Sequence, residues 1–318
     1  MYRNMLKVKN LSKYYGDTAA LSGISFHIAP GETTGIFGMI GSGKTTLLDI
    51  LSGYLLKYGG CVELEGKDIR KDAAQSRKEI AYIPQGGALY QEMTVREYMR
   101  FLCGINRIRS AKQKNEMKEV LEFSGLANRE EYPIRALNAL DQAKVSIAAA
   151  LALQPKVLLI DQPFHGLRTD EAAQHKLFLK AVAQRTTLVI ASDTIGGFSD
   201  LCKRTIILNK GHIASDRDNL FDMPARKMGI RLRVACAPTQ VRAAFRFVSG
   251  VAEMDFHSTS ETGVWDVVVN AKQGEDIRHA LWFAAASYKV PVLEMRSLHI
   301  SPEDIYLQLS GREQEEEE

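Results

Sequence analysis

Short apolar runs recur through the first ~220 residues. Those at Leu6–Lys9, Ile24–Ile28, Thr33–Phe37, Cys61–Leu64, Ile80–Ile83, Val157–Ile160, Thr187–Ala191 and Thr205–Leu208 predict strands. Between several of them, apolar residues recur three or four apart and predict helices, most densely over residues 88–150. Strand and helix in alternation predict a doubly wound α/β domain. The pattern breaks near 221–229 and resumes in a β-α-β-β-α-β order, through Ile230–Ala235, Thr239–Val248, Ala252–His257, Val264–Val269, Glu275–Tyr288 and Val290–Met295. That order predicts a small α+β, ferredoxin-like unit. A short helix over Pro302–Leu309 is expected to close it, and the run Glu315–Glu318 reads as a solvated acidic tail.

One segment carries chemistry by itself. Gly38-Met39-Ile40-Gly41-Ser42-Gly43-Lys44-Thr45-Thr46 satisfies the phosphate-loop pattern G-x-x-x-x-G-K-[ST]. It follows a short buried strand and precedes Leu47, Leu48, Ile50 and Leu51, which are spaced as an apolar helix face. The glycines let successive N–H groups turn inward at a helix N-terminus, whose partial positive charge favours an anion. Lys44 is then expected to reach the β- and γ-phosphates of a nucleoside triphosphate, and the Thr45 hydroxyl to ligate Mg2+.

Composition narrows the setting. With 318 residues, 45% of them hydrophobic, the chain can bury one large core and one small one. Its 41 basic and 38 acidic residues balance too evenly to point to nucleic acid. Four cysteines, Cys61, Cys103, Cys202 and Cys236, include no C-x-x-C pair, which argues against zinc or a disulfide framework and for a reducing compartment. No run approaches the ~18 to 20 apolar residues of a membrane span, and Met1-Tyr2-Arg3-Asn4 leads into no signal-peptide core. Any membrane role is therefore expected to come through a partner.

Three further segments give the phosphate loop a context. Leu11-Ser12-Lys13-Tyr14-Tyr15-Gly16 precedes Ala20-Leu21 and Gly31-Glu32; Tyr82-Ile83-Pro84-Gln85 follows the loop; Val157-Leu158-Leu159-Ile160-Asp161 is an apolar strand ending in a carboxylate. In this order they resemble the nucleotide-binding domain of an ABC transporter. The resemblance implies a P-loop NTPase fold over residues 1–222, with a RecA-like core, an antiparallel β subdomain and a helical subdomain at about 88–150. It implies that Tyr15 stacks on adenine, that Gln85 touches Mg2+ or its water, and that Asp161 holds the Mg2+ shell. ATP and Mg2+ are the implied cofactors.

Where hydrolysis occurs in that family, this chain departs from the pattern. Gln162 stands after Asp161 in place of the usual glutamate, and an amide takes no proton at neutral pH, removing assistance of ~10²- to 10⁴-fold. Asp193 aligns with the switch histidine, and Arg168 replaces the acidic residue of the following loop. The signature Leu-Ser-Gly-Gly-Gln becomes Leu137-Asn138-Ala139-Leu140-Asp141. Asn138 suits the N-cap and Asp141 the first helical turn. Ala139, Leu140 and the Asp141 charge are expected to hinder approach to a γ-phosphate across a dimer. An introduced Glu-to-Gln change would explain Gln162 alone; natural divergence explains all four departures.

The resemblance extends through residues 229–310, with 311–318 as the acidic tail. Ser301-Pro302-Glu303-Asp304-Ile305-Tyr306-Leu307 is similar to the end of ABC-2 export ATPases, whose last helix carries an L-E-D-[VI]-[FY]-L pattern. It implies an ABC-2 permease partner, with the chain peripheral on the cytoplasmic face of the membrane. The extension serves either to stabilise a dimer or to regulate it. Leu89, Tyr90, Tyr98 and Met99 either line a groove for the permease or belong to the core. The altered positions together suggest a hydrolysis-deficient subunit paired with a second ABC subunit. A proficient ATPase and a non-transport ABC-fold regulator are the alternatives. A translation factor would carry two phosphate loops and a chromosome-maintenance protein a long coiled coil, and this sequence has neither.

Overall fold

The computed structural model describes residues 4–106, 110–198, 200–218, 229–259, 261–272, 277–298 and 306. It forms two compact units, Met1–Phe221 with Tyr306–Glu318, and Asp222–Ile305. The expected helix at Pro302–Leu309, apart from Tyr306, and the tail 311–318 lie outside the described residues.

The first unit opens with β1 (Leu6–Tyr15), β2 (Thr18–Ile28), β3 (Thr33–Phe37) and α1 (Lys44–Leu51). Next come β4 (Gly59–Leu64), β5 (Lys67–Asp68), α2 (Ala73–Glu79) and β6 (Ile80–Ile83). Helices α3 (Val95–Ile105), α4 (Ser110–Ser124) and α5 (Ala139–Leu151) follow, with 3-10 turns at Ala127–Arg129 and Ile134–Ala136 before α5. The unit continues through β7 (Val157–Asp161), α6 (Thr169–Ala183), β8 (Thr187–Ser192), β9 (Arg204–Asn209) and β10 (His212–Asp218).

A six-stranded sheet ordered β10-β9-β3-β8-β7-β6 forms its centre, parallel except for the β9/β10 pairing. Every residue of β3, β7 and β8 is buried, including Thr33, Thr34 and Thr187, which is why these strands show no alternation of apolar and exposed polar positions. A separate antiparallel sheet, β2-β1-β4-β5, packs its inward residues Leu6, Val8, Leu21, Ile24 and Val62 into a core shared with α1 and with Ile36, Leu159 and Val189 of the central sheet. Register shifts let β1 run on to Tyr15, well past Lys9. Strand β10 is largely exposed and polar, so it has no apolar run to announce it; pairing with β9 defines it instead.

The helical region begins at a capping box: Thr94 Oγ1 accepts the Glu97 N–H, and the Glu97 carboxylate accepts the Thr94 N–H. Helix α3 then buries Val95, Tyr98, Met99 and Cys103. Tyr98 and Met99 therefore belong to the core, while Tyr90 is exposed and packs edge-on against Phe101 at 5.2 Å.

The second unit runs β11 (Gly229–Val234), α7 (Pro238–Phe245), β12 (Val251–Ser258), β13 (Trp265–Ala271), α8 (Arg278–Ser287) and β14 (Val292–Leu298). Its strands form one antiparallel sheet ordered β12-β13-β11-β14. Ile230, Leu232 and Val234 alternate with Arg231 and Arg233, so one sheet face is apolar. Val241 and Phe245 of α7 and Leu281 and Ala285 of α8 cover that face.

His175 of α6 is 1% exposed, lies between Phe164 and Phe178, and makes no hydrogen bond through Nδ1. Burial, assisted by the Lys144 charge, lowers its pKa from 6.5 to about 4. Its folded pKa thus lies below its unfolded one, so the unfolded chain binds more protons between these values and stability falls as pH drops below 6.5. At pH 5 the loss is about 2 kcal/mol. Urea titrations at pH 7.5 and pH 5 should show a smaller acid-side loss for His175→Leu than for the unmodified chain, by roughly that amount; identical losses would show that His175 does not titrate this way.

Candidate nucleotide site

The phosphate loop leaves the C-terminal end of β3, where Phe37 packs on Phe198 at 5.3 Å and the Gly38 N–H donates to the Ser192 carbonyl at 3.3 Å. Two glycines are sterically required. A Cβ on Gly38 would lie 2.3 Å from Ser42 Oγ and 2.4 Å from the Leu208 carbonyl. Gly43 has φ +102°, and a Cβ there would lie 2.5 Å from the Ala20 carbonyl. Gly43 also occupies the N-cap of α1 without a side-chain cap, leaving the first helical N–H groups for an anion. Met39, Ile40 and Gly41 form the crest of the loop, and Ile40 is exposed.

Lys44 is buried, and its ammonium donates to the Gly38 carbonyl at 2.7 Å, the Met39 carbonyl at 2.9 Å and Ser42 Oγ at 3.4 Å. Burial lowers its pKa, while the carboxylates of Asp161 and Asp193 pull it back up. Thr45 Oγ1 donates to Asp161 Oδ2 at 2.8 Å, joining the helix start to the end of β7. Burial raises the Asp161 pKa and the Asp193 charge adds to the rise; the Thr45 hydroxyl and Lys44 oppose it. A cradle that admits no Cβ, a buried ammonium and uncapped amides fit a polyphosphate. The adjacent hydroxyl and carboxylate are hard oxygen donors and fit Mg2+. Thr46 continues α1 behind them.

Beyond Asp161 the backbone turns sharply. Gln162 takes φ +52°, a left-handed conformation unusual for a non-glycine residue, and its N–H donates to the Ala191 carbonyl at 2.8 Å. Oriented by its partners, the Gln162 amide donates from Nε2 to Asp193 Oδ1 at 3.2 Å and accepts the Asp193 N–H at Oε1, also at 3.2 Å. The two altered positions satisfy each other. Two participants were not expected at this site from the sequence, although Tyr306 belongs to the C-terminal pattern of residues 301–307. Ser192 Oγ accepts the Thr194 N–H at 3.2 Å, and the Tyr306 hydroxyl donates to the Asp193 carbonyl at 2.7 Å.

Gln85 and Tyr15 lie outside this cluster. The Gln85 amide meets His165 Nδ1 at 3.2 Å, so it bridges to the loop after β7 rather than to Thr45 and Asp161. Tyr15, at the end of β1, is exposed, with the Lys13 ammonium 4.7 Å from its ring centre. Arg168 caps α6: its N–H donates to the Glu171 carboxylate at 3.0 Å and its guanidinium pairs with Asp170.

Signature-aligned residues 137–141 enter α5 with Asn138 at the N-cap, where its Oδ1 accepts the Asp141 N–H at 2.8 Å. Asn138 and Ala139 are exposed, whereas Leu137, Leu140 and Asp141 are buried. The Asp141 carboxylate meets the Arg129 guanidinium at 2.5 Å. Of the three residues expected to hinder a γ-phosphate, Ala139 is exposed, while Leu140 and Asp141 are turned inward, with the Asp141 carboxylate paired to Arg129. A cavity of about 150 Å³ is lined by Gln142 and Ser146 of α5 together with Asp161, Gln162 and His165. No residue of the phosphate loop lines it, so it is distinct from the polyphosphate cradle.

Residues 21–165 match the ABC transporter family. Over 97% of this chain and 99% of the relative, the sequence is 26% identical to the linearmycin resistance ATP-binding protein LnrL of Bacillus subtilis. It is 25% identical to Nod factor export ATP-binding protein I of Ralstonia nicotianae, over 97% of this chain and 94% of that one. Identity to the glutamine transport ATP-binding protein GlnQ of Escherichia coli is 34%, over 67% of this chain and 90% of GlnQ. Among solved structures, cbiO1 of Clostridium perfringens, part of the cbiONQ ABC transporter complex, superposes with a TM-score of 0.63 at 26% identity, covering 68% of this chain and 89% of cbiO1.

Lys44→Ala removes both a phosphate-directed charge and the pin that holds the loop carbonyls. It should weaken Mg-ATP binding by about 1.5–3 kcal/mol, roughly 10- to 150-fold in Kd. Titration calorimetry reads this directly, and equal affinities would remove Lys44 from the site.

Proposed function

Since the chain belongs to the ABC transporter ATP-binding proteins, we propose that it is the ATP-binding subunit of an ABC-2-type exporter, that it hydrolyses ATP poorly or not at all, and that it pairs with a second, catalytically complete ABC subunit. The export assignment is supported by where the relatives align. LnrL and the Nod factor export protein align with 97% of the chain, whereas GlnQ aligns with 67%. The partner in the membrane would be an integral permease, with this chain on its cytoplasmic face. No helix among the described residues is long and apolar enough to cross a membrane itself.

The observation that carries the hydrolysis-deficient reading is the reciprocal bonding of Gln162 and Asp193. Lys44 and the α1 amides would hold the phosphates, Thr45 and Asp161 would hold Mg2+, and Tyr15 would meet the adenine. Gln162 accepts no proton from water, and its amide is already engaged by Asp193. ATP bound by this chain would join the subunits rather than be consumed, with turnover supplied by the partner.

The same pairing makes Gln162→Glu a poor rescue. It replaces an amide donor by a carboxylate beside Asp193 Oδ1, so like charges meet where a hydrogen bond stood. We expect steady-state phosphate release to stay at background in both the unmodified chain and Gln162→Glu, and the variant to lose about 1–3 kcal/mol of stability. Recovery should need Gln162→Glu, Asp193→His and a Leu-Ser-Gly-Gly-Gln graft over 137–141 together. Turnover on the order of 1 s⁻¹ from the unmodified chain or from Gln162→Glu would replace this proposal with a proficient ATPase.

A further inference from the structure

Asp193 is held from three directions. Its N–H and its Oδ1 are bonded by Gln162 at 3.2 Å each, and its carbonyl accepts the Tyr306 hydroxyl at 2.7 Å. Tyr306 is only 4% exposed and lies far along the sequence from the switch segment, yet it belongs to the same compact unit. A phenylalanine would fill this space equally well, so packing does not account for the hydroxyl. A buried phenol needs an acceptor, and the one it takes is the backbone of the residue whose charge acts on the phosphate loop. That action is evident at two groups: the Asp193 carboxylate supports the charge on Lys44 and opposes the charge on Asp161. Lys44 bonds the loop's own oxygens rather than either carboxylate, and it lies in the field of both, so each further phosphate charge also meets the field of Asp193.

We propose that Tyr306 is a positioning residue for nucleotide selection. By clamping the Asp193 carbonyl, it keeps the Asp193 carboxylate turned toward the phosphate loop, which lowers affinity for a nucleoside triphosphate relative to the diphosphate. The γ-phosphate adds negative charge beyond the β-position, so a fixed carboxylate penalises the triphosphate more than the diphosphate. Without the clamp on its carbonyl, Asp193 and the Gln162 amide bonded to it can shift together away from the phosphate loop, and the repulsion falls with distance. The inference rests on the nucleotide-binding reading above and adds to it a residue that sets the ratio of ATP to ADP affinity.

Calorimetric titration of the full chain with Mg-ADP and Mg-ATP tests it, using Tyr306→Phe, Asp193→Asn and the double variant. Tyr306→Phe should raise the ATP-to-ADP affinity ratio about two- to tenfold, the range one neutral hydrogen bond supports, and leave ADP affinity within about twofold. Asp193→Asn should raise the same ratio, and Tyr306→Phe added to it should change nothing further, because the phenol acts through that carboxylate. Equal weakening of both nucleotides, an unchanged ratio, or additive effects in the double variant would each overturn the inference while leaving the nucleotide-binding reading intact. Failure of the unmodified chain to bind ADP would overturn both.

Discussion

A buried ammonium sets the terms for this site. Lys44 sits at the start of α1 with almost no exposure, and a charge withdrawn from water needs partners to offset its desolvation. It finds them in the carbonyls of Gly38 and Met39, which face inward only because the loop turns back on itself. That turn leaves no room for a Cβ at Gly38 or Gly43. The loop in turn hangs from β3, a fully buried strand flanked by β8 and β9. Strand, glycines and lysine therefore depend on one another, and loss of any of them leaves a buried charge or carbonyl without its partner.

Around this cation the altered residues are arranged in partnered sets rather than as scattered losses. A glutamate and an aspartate at positions 162 and 193 would set two carboxylates against each other; an amide at 162 turns that conflict into two hydrogen bonds. The same logic applies at α5, where Asp141 is buried but meets Arg129, and at α6, where Arg168 is held by Asp170 and Glu171. A chain decaying under no constraint would leave buried charges unpaired. Here each new charge has a neighbour of complementary chemistry, which fits a subunit retained for binding and assembly.

Much of the first unit was legible from its sequence because the physics there is local. Thr33–Phe37 and Ile80–Ile83 have the same bounds in the sequence pattern and in the structure, since largely buried strands carry no charged residue and stand out from the charged segments beside them. The phosphate loop was legible for a related reason: glycine, lysine and threonine at fixed spacing are demanded by the backbone geometry itself. Polar, exposed β10 and the two-residue β5 had no such mark, because backbone pairing with a neighbouring strand is what makes them strands.

The sequence by itself determined the parallel sheet and the phosphate-binding loop, and it singled out Gln162, Asp193 and residues 137–141 as departures from the pattern the resemblance implies. Only the tertiary structure decided what those residues touch. That Gln162 and Asp193 bond each other, that Asp141 turns inward to Arg129, that Gln85 reaches His165, and that Tyr306 returns to the Asp193 carbonyl all depend on side chains distant in sequence meeting in space. Periodicity and motif spacing report which face of an element is apolar and where a loop must bend. They hold no record of which charge faces which, because that is set by strand order, helix rotation and the φ of a single residue such as Gln162.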